Sequence, residues 1–509
     1  MIRKLLFGAL SLGLSLQVWG QGTYWVLFKD RTGALPGTVS ARALQARRTA
    51  GLAERQASDA WPAPAYCQGV EALAGQPVRV RSRWLNGVSV AAGPAVARRL
   101  AQLPYVAEVR PVASTMAAAA RPPLADSLQL SRGLGQVGGA WLAQEGLTGK
   151  GVAIGLIDAG FADADESAEL RQLFGNGRVK AYRDFEAPAN LAFFRPQGGK
   201  IDDHGTNVLT LVGGQSPGRR FGGAPDADYY LARTDNHAKE YRREEDHWLV
   251  AMEWMDSLGV RLINTSLGYG LGYDDKAENH KPADVDGKSA VVTRAVNVAI
   301  AEKGICVVVA AGNDGGNAQW GGIINLPADA PGAIAVGATY QDNWQKLGYS
   351  GIGPEALPYV KPDVAAFSLF GTSFAAPVVT GLLGALMQRH PGLKPQQYAD
   401  ALRQSGHLEL VPNNYLGYGV PDARRAHLLL GGQPEGVLTV RLEARHQARI
   451  NIPGKAQAVV YFHKKDARNV LKQGTLPVAE GRVTVVRPAG AAFTTLALPG
   501  QVWEIEWKP

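Results

Sequence analysis

Three side chains able to share one reaction occur in the order acid, base, hydroxyl. Asp158 ends the apolar run Gly151-Val-Ala-Ile-Gly-Leu-Ile157 and is followed by Ala159-Gly160. His204 opens the stretch His204-Gly-Thr-Asn-Val208, and Ser373 lies in Gly371-Thr-Ser-Phe-Ala-Ala-Pro377. A carboxylate can fix the tautomer of an imidazole, and the imidazole can take a hydroxyl proton as that oxygen attacks a carbonyl. Singly, each residue is ordinary: an Asp or a Ser at such a boundary is by default a turn or cap residue. Their occurrence together carries the reading. So do Gly160, Gly205 and Gly371 beside them, which permit close backbone approach.

The chain order Asp, His, Ser is the subtilisin order rather than that of chymotrypsin or the α/β-hydrolases. With those flanking residues, the stretch from about Ala125 to Leu430 resembles the subtilisin-like serine peptidases (peptidase family S8). That resemblance implies Asp158, His204 and Ser373 as the triad and Asn313, in Ala310-Ala-Gly-Asn313, as a side-chain donor to the oxyanion. It also implies that a substrate strand pairs along Ser266, Leu267 and Gly268, with Ala311 and Gly312 as the opposite wall of a specificity pocket. Small residues at both walls lead to the expectation that a sizeable side chain enters. The sequence departs from the family at Asn207, where His is common, and at Ala159, where Ser or Thr is common. It departs again in the short run between Lys361-Pro-Asp-Val364 and Gly371.

Such residues need a scaffold that brings distant segments to one edge. Apolar runs at 151–157, 228–233, 260–264, 306–311 and 333–336 read as buried strands. They alternate with helical patterns at 244–259, 288–303 and 373–389, which predicts an α/β domain with a parallel sheet covered on both faces. Ligands bind at the carboxyl ends of such strands, where Asp158 falls. Before this domain, residues 22–113 read as a small α+β module that resembles the family's inhibitory propeptide, and the Ala- and Pro-rich 114–126 reads as a linker. The catalytic domain is expected over 127–432. Residues 435–509 read as a small antiparallel β module of short strands joined by Gly and Pro turns.

Arg3 and Lys4 followed by the apolar run Leu5–Leu16, with Val18 and Gly20 at the small-residue positions, read as a secretory signal over 1–20. The expected location is therefore extracellular, or periplasmic if retained. No later segment is apolar enough to span a bilayer. The net charge of +8 comes with no basic, aromatic-laced helix, so no nucleic-acid partner is expected. Cys67 and Cys306 are expected as two buried thiols. No cofactor is required. Structural calcium near Asp274, Asp275, Asp284 and Asp286 is weighed against a solvated loop, which is favoured because the pattern is not a complete EF-hand. The expected partners are protein or peptide substrates, with the propeptide as an intramolecular inhibitor. The reading is thus a secreted serine endopeptidase made as a zymogen. A catalytically dead binding protein on the same fold and a dedicated processing protease stand as alternatives.

Overall fold

A computed structural model describes residues 22–112, 127–197, 202–235, 243–272, 276, 279–433 and 435–509. The expected signal, the linker at 114–126, and Asp274 and Asp275 lie outside the described residues.

The centre is a seven-stranded sheet, all of whose pairings are parallel. In spatial order the strands are Val364–Phe367, Ile334–Thr339, Cys306–Ala310, Leu262–Thr265, Ala153–Asp158, Asp228–Arg233 and Val179–Asp184. Five of these were legible as apolar runs, because a strand covered on both faces carries apolar side chains at every position. The two outer strands were not. Val179–Asp184 is a partly exposed edge strand with a polar sequence, and Val364–Phe367 is only four residues long.

Helices His204–Gly213 and Ala376–Arg389 cover one face, contributing Val208, Leu209, Leu382 and Leu386 to its core. Helices Arg243–Leu258 and Val291–Ala301 cover the other with Trp248, Met252, Met255 and Val296. Cys67 and Cys306 are both free and buried, and burial pushes the Cys306 thiol up to about 12.

The N-terminal module is a four-stranded antiparallel sheet carrying helices Ala41–Thr49, Pro64–Ala74 and Pro94–Leu100. Its Trp25 and Trp84 join the core beneath helix Arg243–Leu258. Charges are buried where the two meet. Arg47 bridges Asp59 at 2.7 Å and Asp256 at 2.9 Å, and Lys303 reaches Asp59 at 2.8 Å. Burial pushes the Asp59 carboxyl up, but its bonds to Arg47, Lys303 and the Gln56 N–H prevail and hold it down at about 2. Glu253 accepts from the Ser82 hydroxyl and from the Arg83 and Trp84 N–H groups.

The C-terminal module is a five-stranded sheet backed by a two-stranded one. Most pairs are antiparallel, as expected, but its first and last strands, Leu438–Ala444 and Gln501–Trp507, pair in parallel. The whole module forms the connection between them, which gives the long crossover a parallel pair requires. Strands Gln447–Asn451 and Val470–Pro477 escaped the sequence reading, being polar and partly exposed. Alternation splits strand Ala458–Lys464 between two cores. Val459 faces the module's own core, while Val460 and Phe462 pack with Ala365, Leu408, Val411 and Leu416 of the central domain.

Candidate active site

The carboxyl ends of three adjacent strands converge on one edge. Asp158 ends one, Ser266 follows the next at Thr265, and Ala311-Gly312-Asn313 follows the third. Helix His204–Gly213 begins against the first of them. Gly205 makes this possible: a β-carbon there would stand 2.5 Å from the Gly160 carbonyl oxygen and 3.0 Å from the Asp158 β-carbon. The Gly205 N–H instead donates to that carbonyl at 2.8 Å.

Asp158 and His204 are both buried, and Oδ1 of Asp158 lies 2.6 Å from Nδ1 of His204. The same oxygen accepts from the Ala159 N–H at 2.8 Å. Burial favours the neutral imidazole, yet the charge and hydrogen bond of Asp158 outweigh it. With help from Asp203 and Asp235, they hold the His204 pKa above the ordinary histidine value. The ring packs on Phe374, centroids 5.1 Å apart, and Nε2 has no hydrogen-bond partner among the described residues.

Ser373 was expected to open the long helix. It sits instead in a 3-10 turn, Thr372–Phe374, and the α-helix begins at Ala376. Pro377 explains the boundary: lacking an N–H, proline is tolerated in the first helical turn, where no intrahelical bond is lost. Gly371 before the turn has φ 138°, a conformation that disfavours any other residue. The Ser373 hydroxyl donates to the Ser266 carbonyl at 3.0 Å.

Asn313 is oriented from one side. Its Oδ1 accepts from the Thr372 N–H at 2.9 Å and from the Thr372 hydroxyl at 3.1 Å. With the oxygen anchored, the amide N–H groups are left as donors that bond no other described residue. The Thr372 hydroxyl also accepts from the Gly312 N–H at 3.0 Å, joining the Asn313 loop to the serine turn. A second strut runs deeper. Thr380 on the long helix bonds Asn264 Oδ1 at 2.9 Å, Asn264 donates to the Ser266 hydroxyl at 3.0 Å, and Ser266 donates to the Ser373 carbonyl at 2.8 Å. Thr372, Asn264 and Thr380 were missed as positioning residues. Thr372 lies inside the quoted serine motif and Asn264 ends one of the apolar runs, but the bonds of Thr372 to Asn313 and of Asn264 to Thr380 span more than fifty residues of sequence. Thr380 gave no local signal.

Of the residues expected at the substrate walls, Ser266 and Gly312 touch the Ser373–Asn313 assembly directly, as above. Leu267 is fully buried in the core. Gly268 and Ala311 flank Asn325, whose N–H donates to the Ala311 carbonyl at 2.9 Å.

Among the described residues no group of three or more His, Cys, Asp or Glu is disposed to hold a metal ion. Asp284 accepts from the Lys281 N–H at 2.8 Å, and Asp286 from the Lys288 and Ser289 N–H groups at 2.9 and 2.7 Å, so both close their own loop.

Comparison with known proteins agrees with this geometry. Residues 149–419, over half of the chain, match the subtilase family, and residues 23–124 match the peptidase S8 propeptide domain of Bacteroidota. Subtilisin NAT of Bacillus subtilis subsp. natto is 26% identical over 307 residues, covering 58% of this chain and 70% of that protein. Subtilisin BL of Lederbergia lenta is 27% identical over 293 residues, 55% of this chain and 92% of that one. Among solved structures, fervidolysin from Fervidobacterium pennivorans, a keratinolytic enzyme related to subtilisin, shares the fold. It aligns with a TM-score of 0.51 at 17% identity, over 94% of this chain and 70% of that one. The chain belongs to the subtilase family: it is a serine endopeptidase carrying an N-terminal propeptide domain.

Proposed function

We propose that this chain is the precursor of a secreted endopeptidase that cleaves peptide bonds through Ser373, His204 and Asp158. The buried 2.6 Å bond between Asp158 and His204 carries the reading, because it leaves Nε2 as the ring's unengaged nitrogen beside the serine turn. Rotation of the Ser373 side chain exchanges the Ser266 carbonyl for that nitrogen. Catalytic hydrogen bonds commonly tighten only once substrate is bound.

In the cycle, His204 takes the Ser373 proton as Oγ attacks the scissile carbonyl. The Asp158 carboxylate stabilises the imidazolium. The Asn313 amide and the Ser373 N–H receive the oxyanion, His204 protonates the leaving amine, and water hydrolyses the acyl-enzyme. An extended substrate pairs along Ser266–Gly268 as an added strand.

Residues 22–113 act as an intramolecular inhibitor until the segment 114–126 is cut, after a signal over 1–20 has directed export. The buried ion pairs of Arg47 and Lys303 support tight docking of this module. The mature catalytic domain then spans 127–432, followed by the β module at 435–509.

Labelling with a fluorophosphonate tests the proposal. The expected result is stoichiometric modification of Ser373 in the processed enzyme and none in Ser373→Ala. An unlabelled, processed wild type would favour the catalytically dead binding protein instead. N-terminal sequencing of the secreted protein tests signal and propeptide removal together.

A further inference from the structure

The small residues Ser266, Gly268, Ala311 and Gly312 promise a roomy pocket for the side chain preceding the cleaved bond, the P1 residue. The fold changes this by inserting a third segment. Residues Ile323–Leu326 are stitched to both walls. The Leu326 N–H donates to the Tyr269 carbonyl and the Tyr269 N–H to the Leu326 carbonyl, at 2.9 and 2.8 Å, while the Asn325 N–H bonds Ala311.

Asn325 therefore projects between the walls. A β-carbon on Gly312 would stand 2.7 Å from its Cγ and 2.8 Å from its Oδ1. One on Gly268 would stand 3.1 Å from its β-carbon. The side chain thus lies against the α-carbons of both walls at once, and Asn325 is only 2% exposed. It is also held in place, since its Nδ2 donates to Asp314 at 3.0 Å, and Asp314 is bonded in turn by Asn317 at 3.2 Å. Its Oδ1 is buried without a hydrogen-bond partner among the described residues. The side chain is thus fixed by the Asp314 bond on its nitrogen side and by close packing against the two glycines on its oxygen side.

We propose that Asn325 is a specificity-determining residue that fills the P1 pocket and restricts the enzyme to small P1 side chains: Gly, Ala and Ser. This rests on the peptidase reading above. A second observation comes from the chain itself. The segment expected to be cut begins Ser114-Thr-Met-Ala-Ala-Ala-Ala120, in which six of seven residues are Ala, Ser or Thr. A shallow pocket and a processing region of small residues are complementary.

The test uses the processed wild-type enzyme and chromogenic tetrapeptide anilides that differ only at P1, with Ala, Ser, Leu, Phe or Lys. The kcat/KM for Ala or Ser is expected to exceed that for Leu, Phe and Lys by roughly tenfold or more, the scale on which pocket size discriminates. Asn325→Gly is expected to narrow the Ala-to-Phe ratio by about the same factor. A wild type that cleaves after Phe or Leu as fast as after Ala overturns the proposal, as does an Asn325→Gly enzyme with an unchanged ratio. If that variant fails to fold, the wild-type profile decides alone. Fluorophosphonate labelling, which does not probe the P1 pocket, separates the two failures. A labelled enzyme with the wrong preference sinks only the pocket assignment, whereas an unlabelled one sinks the catalytic reading.

Discussion

Ser373 and Ser266 hold each other by two hydrogen bonds, the Ser373 hydroxyl donating to the Ser266 carbonyl at 3.0 Å and the Ser266 hydroxyl donating back to the Ser373 carbonyl at 2.8 Å. The proposed nucleophile thus rests on the segment proposed to receive substrate. A peptide pairing there competes for the Ser266 carbonyl and frees the hydroxyl to turn toward His204. Removing the Ser373 hydroxyl loses one buried hydrogen bond, to the Ser266 carbonyl, and no apolar packing. Ser373→Ala is expected to abolish casein hydrolysis and leave the precursor uncut, folded and melting in one cooperative transition. Residual casein cleavage by a homogeneous Ser373→Ala preparation would place the nucleophile elsewhere.

Asn313 and Thr372 make separable predictions. Asn313→Ala is expected to lower kcat by about 10²–10³, the range found for one oxyanion donor in subtilisin itself. Thr372→Val keeps the donor but removes the hydroxyl that anchors its oxygen. It is expected to lower kcat by a smaller factor with KM little changed, because orientation of the amide matters only in the transition state. Steady-state kinetics on a P1-Ala substrate read both.

As the proposed base, His204 is expected to set an acidic limit. Its imidazole would have to be neutral to accept the serine proton, and Asp158, Asp203 and Asp235 outweigh burial to raise its pKa. Activity is therefore expected to fall as pH drops through a value above the ordinary histidine pKa of about 6.5. Asp203→Asn removes one raising charge and is expected to shift this limb to lower pH. A pH profile of kcat/KM that does not move would remove Asp203 from the field at the imidazole.

Asp246 predicts an opposite trend in precursor stability. Burial, against the opposing effects of Arg79 and the Ser89 hydroxyl, pushes its carboxyl up to about 6. The folded precursor thus holds this proton more tightly than the unfolded chain. The associated stability is complete below the unfolded value of about 3.8 and is lost as pH rises through about 6, by an amount on the order of 3 kcal/mol. In a Ser373→Ala background, Asp246→Asn is expected to raise the denaturation midpoint at pH 8 and to change it little near pH 4. Urea titrations at the two pH values check this, and parallel behaviour at both would assign the stability elsewhere.

Phe462 predicts that the C-terminal module supports the catalytic domain. It is fully buried beside Ala365, in the strand that leads into the serine turn, and beside Leu408 and Leu416. Phe462→Ala is expected to destabilise the protein by about 3–5 kcal/mol, the usual cost of such a cavity. Truncation after Leu430 is expected to lower activity together with the melting temperature. A truncated enzyme with full activity and unchanged melting would leave the module free for a role outside the catalytic domain.

The sequence alone determined the chemistry and its frame. Asp158, His204, Ser373 and Asn313 sit in short motifs whose neighbours are local, and five buried strands announced themselves as unbroken apolar runs. The two outer strands stayed hidden because edge exposure and shortness erase that pattern. Tertiary structure alone decided the rest. It put Ser373 in a 3-10 turn before the helix, tied Asn313 to Thr372, and bonded the Ser373 hydroxyl to Ser266. It also drove Asn325 between two glycine walls that sequence read as open. The physical reason is common to these outcomes. A side chain's partners across a sheet edge come from segments dozens of residues apart, and periodicity reports which face a residue takes but not what meets it there.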